Sequence, residues 1–135
     1  MTLPVTAFVG AVCAFLLLFT AILTVRQRLR LKAAFGDHGD TKLIAASRSH
    51  GNLAEHAPIV VILLGLLESA RANHMALMAI GALFLIGRVA HIIGLHAPAE
   101  PGNPPVPRQI GVVATWATLL VLGGWTLWML ATVNL

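Results

Sequence analysis

The chain is 135 residues long, 58% hydrophobic and 10% charged, and it contains no tyrosine. That composition excludes an ordinary soluble domain and predicts an all-α integral membrane protein, because so apolar a chain has too few polar side chains to cover a water-facing surface. The formal net charge of +4 does not indicate nucleic acid, since basic residues set between spanning segments act as topology determinants.

Pro4 to Val25 carries no charged residue and meets the ~20 residues needed to cross the hydrocarbon core. Arg26, Arg28, Arg30 and Lys32 follow at once. A cleavable signal peptide would place its positive charges before the apolar run, so this order predicts a retained first span with the amino terminus outside and a cytoplasmic first loop. Cys13, the one cysteine, lies within this span; it can form no intrachain disulfide and is read as a small packing residue. The loop contains the turn Gly36-Asp37-His38-Gly39-Asp40, where glycines supply positive φ and aspartates bond nearby backbone. It is read as a solvated connector.

The second span is predicted over 48–68 and contains an incongruity. Only Ala57 to Leu67 lacks charged or strongly polar residues, so to cross the bilayer the helix must reach back through Glu55 and Asn52 towards Arg48. At 100° per residue these three stand at roughly 0°, 40° and 340° round the axis, forming one polar stripe. Ionised side chains facing lipid cost on the order of 2.5–3.5 kcal/mol near a helix centre, which directs the stripe at other helices or a wet cleft. Pro58 removes a backbone donor opposite Ala54, and a kink beside Glu55 is expected. His50 and His56 point about 240° apart and cannot share one metal.

Glu68, Arg71, Asn73 and His74 form a polar turn on the outer side, and the third span is placed at 75–96. Arg88 and His91 are three apart on one face of it. Arg88 is too deep to snorkel easily, so a pair with Glu55 or a ligand role is expected, while His91 is either a ligand contact or a satisfied core histidine. A connector rich in proline (Pro98, Pro101, Pro104, Pro105, Pro107) precedes the fourth span, placed at 109–132 and opened by Arg108. Trp125 and Trp128 suit the outer interface, and Trp116 is read as packing.

The basic residues of the first loop, with Arg48 and Arg108, stand on one side against Arg71 on the other. Four spans with both termini outside follow from the positive-inside rule, and residues 1–135 form one domain. The basic end of the first helix, the stripe, Arg88 with His91, and Arg108 then meet in the cytoplasmic third. A cationic polar pocket of this kind suits a carboxylate-bearing ligand held by forked hydrogen bonds, with an amphiphilic second substrate arriving from lipid. Arg48 is read either as part of this pocket or as an interfacial snorkelling residue. A haem bundle would need axial histidines facing each other, as His50 with His91.

RSHGNLAEHAP (Arg48 to Pro58), GRVAH of the third helix and PRQIG at the start of the fourth, with the basic first loop, resemble the membrane-associated proteins in eicosanoid and glutathione metabolism, the MAPEG family. The resemblance covers nearly the whole chain and is nearest to the small bacterial members, which implies a bacterial inner membrane. It also implies a homotrimer of four-helix subunits that binds glutathione between neighbours, contacts membrane lipid and takes a lipophilic small molecule from the bilayer.

By motif position, Asn52 and Glu55 would hold polar ends of glutathione, His91 would line its site and Arg108 would face its sulfur as the catalytic residue. Arg26, Arg28 or Arg30 would supply further carboxylate contacts, and Arg48 and Arg88 match family positions that are at least structural. The implied activity is a glutathione-dependent transferase or peroxidase; the alternative is a non-catalytic binding or structural member of the same fold. Two positions depart from the pattern of the prostaglandin synthase-like members, Gly51 standing for an arginine and Leu95 for a tyrosine. A small four-helix multidrug exporter, which needs a carboxylate in its first helix, finds none in Pro4 to Val25.

Overall fold

The computed structural model describes residues 2–99 and 102–133, so Pro101 of the proline-rich connector lies outside the described residues. Four helices follow one another: α1 (Pro4–Leu31), α2 (Thr41–Ser69), α3 (His74–His96) and α4 (Val106–Val133). All four are long and apolar enough to cross a membrane, which gives the all-α, four-helix architecture expected from composition.

The helix ends run beyond the apolar segments, for local reasons. α1 continues through Arg26, Arg28 and Arg30 and stops at Lys32, whose φ of 52° is left-handed; cations in a last turn complement the negative end of the helix dipole. α2 begins at Thr41, well before Arg48, because Asp40 caps it. The Asp40 carboxylate accepts the Leu43 amide at 2.8 Å and is itself gripped by Arg30 at 2.7 Å. The GDHGD turn is therefore an N-cap as well as a connector. The Arg30 guanidinium, followed by the Leu43 amide, holds the Asp40 carboxyl below the usual carboxylate range.

α2 passes through Pro58 as one uninterrupted helix. α4 starts at Val106, ahead of Gln109, because Pro107 falls in the first turn, where a missing N–H costs nothing. The amides of Arg108 and Gln109 both donate to the Pro105 carbonyl, at 2.9 and 3.3 Å. Arg108 is thereby fixed at the mouth of α4.

Consecutive helices run antiparallel: Glu68 meets Val5 while His50 meets Thr20, and His91 meets Arg108. α2 touches each of the other helices, whereas α1 and α4 make no contact among the described residues. The core is Val9, Leu53, Val60, Leu64, Leu77, Phe84 and Leu122, together with Cys13. In lipid, apolar burial alone drives little helix association, and close approach at small residues takes over. α3 and α4 meet in this way. A Cβ on Gly87 would come within 2.7 Å of the Ala114 Cβ, and one on Gly94 would run into the Arg108 backbone.

At the opposite end of the bundle, Glu68 seals the start of α1. Its carboxylate accepts the Val5 amide at 2.9 Å, the Thr6 amide at 2.8 Å and the Thr6 hydroxyl at 2.7 Å. This is an anion seated on a helix N-terminus, where orphan amides and the dipole both favour it. Trp116 does not pack within this chain: the residue is 66% exposed on the outward side of α4.

Candidate functional site

A polar pocket of about 340 Å³ opens between α2, α3 and α4, lined by Ser47, Arg48, Gly51, Asn52, Glu55, His91, Leu95, Arg108 and Val112. The stripe predicted on α2 thus faces other helices, and His91 and Arg108 come to it from α3 and α4. The close antiparallel contact of these two helices at Gly94 and Gly111 holds them there.

His91 is 5% exposed, and its Nδ1 lies 3.4 Å from the Arg108 carbonyl. A carbonyl oxygen only accepts, so Nδ1 carries the proton in this contact and Nε2 is the nitrogen left as an acceptor. The Arg108 guanidinium, the Arg48 guanidinium and the Glu55 carboxylate have no ion-pair partner among the described residues. The pocket therefore presents unspent donors and one unspent carboxylate.

Arg88 does not pair with Glu55, contrary to the expectation from sequence. It is 2% exposed and lies behind the pocket wall. One terminal nitrogen donates to Asn52 Oδ1; the other donates to the Gly111 carbonyl at 2.9 Å and to the Thr115 hydroxyl. The guanidinium also stands 5.7 Å from the centre of the Phe84 ring, within cation–π range. The cause is rotational. Arg88 lies between Gly87 and His91, both of which close on Gly111 of α4, and its fork is directed at α4 and at Asn52 on the inner edge of α2. Glu55 sits on the outer edge of the same stripe.

The first-helix arginines do not enter this pocket. Arg30 is engaged with Asp40 and Gln27. Arg28 donates to the carbonyls of Ala34 and Gly36, at 3.3 and 3.2 Å, and lines a neighbouring pocket of about 370 Å³ with Gly36, Asp37, Ile44, Ser47 and Arg48. Arg48 borders both spaces. His50 does not pair with His91 but meets the Thr20 hydroxyl on α1 at 3.1 Å, and His56 bonds the Asn52 carbonyl at 2.7 Å.

Sequence reasoning missed Ser47 and Val112 as pocket residues, and Gly111 and Thr115 as the partners of Arg88. A usable signal existed for α4, since Arg108, Gly111 and Thr115 recur at the i, i+3, i+7 spacing of one helix face. Gly51 and Leu95, the two departures from the prostaglandin synthase-like pattern, both stand in the pocket wall.

Comparison with known proteins gives the same direction. The inner membrane protein YecN of Escherichia coli strain K12, and the same protein of E. coli O6:H1, are each 32% identical over 124 residues, covering 92% of this chain and 91% of the relative. No solved structure matches the chain. The family model of the MAPEG family matches residues 6–128, and with that span covered the chain belongs to the MAPEG family.

Proposed function

We propose that the protein is a glutathione-dependent transferase or peroxidase of a bacterial inner membrane, acting on lipophilic electrophiles or hydroperoxides that arrive from the bilayer. The observation that carries this reading is the convergence of Arg48, Asn52, Glu55, His91 and Arg108 on one pocket of about 340 Å³. The donor set fits the group: two unspent guanidiniums and an amide suit carboxylates, Glu55 suits an ammonium, and His91 Nε2 suits an amide N–H.

When bound, glutathione supplies a thiol that attacks only in its ionised form. Arg108 acts on that step by charge. A guanidinium beside a thiol whose pKa is near ~8.5 stabilises the thiolate, and two units of lowering correspond to ~2.7 kcal/mol. The closed α3–α4 contact at Gly94 holds the Arg108 backbone so that its side chain starts from a fixed point. The reading includes assembly as a homotrimer, supported by the family resemblance, with the basic end of the bundle in the cytoplasm, supported by the cationic surplus at that end.

The second reading, a non-catalytic member of the same fold, is favoured by Gly51 and Leu95. They leave a wall without the arginine and tyrosine of the prostaglandin synthase-like pattern. A thiol-conjugation and peroxidase assay in detergent, run beside Arg108→Ala, separates the two. Turnover that falls at least tenfold in the variant supports the catalytic reading, and turnover unchanged in it removes Arg108 from the chemistry.

A further inference from the structure

We propose that Arg88 is a positioning residue: it fixes the orientation of the Asn52 carboxamide so that its amide nitrogen donates into the pocket, making that wall selective for a carboxylate. The inference rests on the reading of the pocket as a glutathione site, and it assigns one end of the ligand to one wall.

The geometry follows from donor inventory. A guanidinium has five N–H groups and no acceptor, so the Asn52 atom that faces Arg88 is the oxygen. The nitrogen, with two N–H groups, then projects the other way, and Asn52 lines the pocket. No acceptor among the described residues takes these donors, since the one hydrogen bond of the Asn52 side chain is to Arg88. A lone asparagine can turn its amide over to suit either a donor or an acceptor on the ligand. This one cannot, because turning would set two N–H groups against a buried guanidinium.

Charge adds to the selection. Arg88 is buried at 2% exposure, its Nε has no partner among the described residues, and none of its hydrogen-bond partners is a carboxylate. A buried cation held by neutral acceptors alone is undercompensated. Arg48 and Arg108 line the same pocket against the single carboxylate of Glu55, so part of the counter-charge is left for the ligand to bring.

The test is Asn52→Asp, examined by glutathione calorimetry and by thermal unfolding in detergent. The variant supplies Arg88 with a carboxylate and replaces the pocket-facing donor by an acceptor. The two readouts are expected to move in opposite directions: a rise of about 5 °C in melting temperature, from a charge-assisted bond replacing a neutral one, with glutathione affinity weakened at least tenfold. Undiminished binding in Asn52→Asp, or a lowered melting temperature, overturns the positioning role while leaving the glutathione reading intact. Wild-type protein that binds no millimolar glutathione overturns both. Asn52→Leu and Arg88→Met serve as a second pair: each should lower affinity, and the double variant should lower it no further than Asn52→Leu alone, whereas an Arg88 that acts independently of Asn52 would add its own loss.

Discussion

Gly111→Ala tests the contact that builds the site. A Cβ added there would lie 2.5 Å from the His91 Cβ, 2.6 Å from the Gly87 carbonyl oxygen and 2.8 Å from the His91 Cα. Carbon atoms settle at about 3.5–4.0 Å, so α3 and α4 must part by about 1 Å at the level of the pocket. Overpacking of this kind costs about 1–3 kcal/mol. Parting also stretches the Arg88 bond to the Gly111 carbonyl, 2.9 Å in the native structure, and a hydrogen bond to a charged group is worth about 1.5–3 kcal/mol. Alanine returns up to about 1 kcal/mol through helix propensity.

The net expectation is a loss of about 1.5–6 kcal/mol, read as a fall of about 10 °C in thermal unfolding in detergent. Glutathione binding should weaken with it, because His91 and Arg108 are carried apart. Gly124→Ala is the control on the same helix. Nothing lies within 4 Å of its added Cβ, so only the propensity gain remains and stability should hold or rise by up to about 1 kcal/mol. Equal melting temperatures for the two variants would refute the argument that close packing at Gly111 sets the α3–α4 geometry.

Further outcomes are expected. Glu68→Gln removes the charge and one acceptor from the seat of α1, where three donors from Val5 and Thr6 converge; a loss of about 1–3 kcal/mol is expected, and an unchanged denaturation midpoint would show the contact to be idle. The Asp40 carboxyl, held low first by Arg30, stabilises the start of α2 above the ordinary aspartate value of about 3.9 and loses that effect as pH falls through its own lower pKa. Carbon-detected NMR should place that midpoint below the ordinary value and move it up in Arg30→Ala; a midpoint insensitive to Arg30 contradicts the assignment. Gly51→Arg restores the guanidinium of the prostaglandin synthase-like pattern at a position with open space round its Cβ. It should tighten glutathione about tenfold by calorimetry, about 1.4 kcal/mol, and no gain would mean that the wall at Gly51 is not a ligand wall.

Much of this protein was legible without coordinates. Four apolar runs long enough to span, the turn chemistry of Gly36 to Asp40, and the single face shared by Arg48, Asn52 and Glu55 are all consequences of local geometry. Helical period places residues within a helix whatever surrounds it. The convergence of that face with His91 and Arg108 also followed, because short connections force antiparallel neighbours and so bring four helix ends to one level.

What the tertiary structure decided was the rotation of each helix against the next. Rotation is set by close contacts among Gly87, Gly94, Gly111 and Ala114, and these assign Arg88 to Asn52, Gly111 and Thr115, leaving Glu55 free. They also turn Trp116 outward. The start of α2 at Thr41 was likewise a tertiary outcome, since Asp40 is clamped by Arg30 from the end of another helix. Sequence periodicity specifies which side chains share a face; only packing specifies what that face meets.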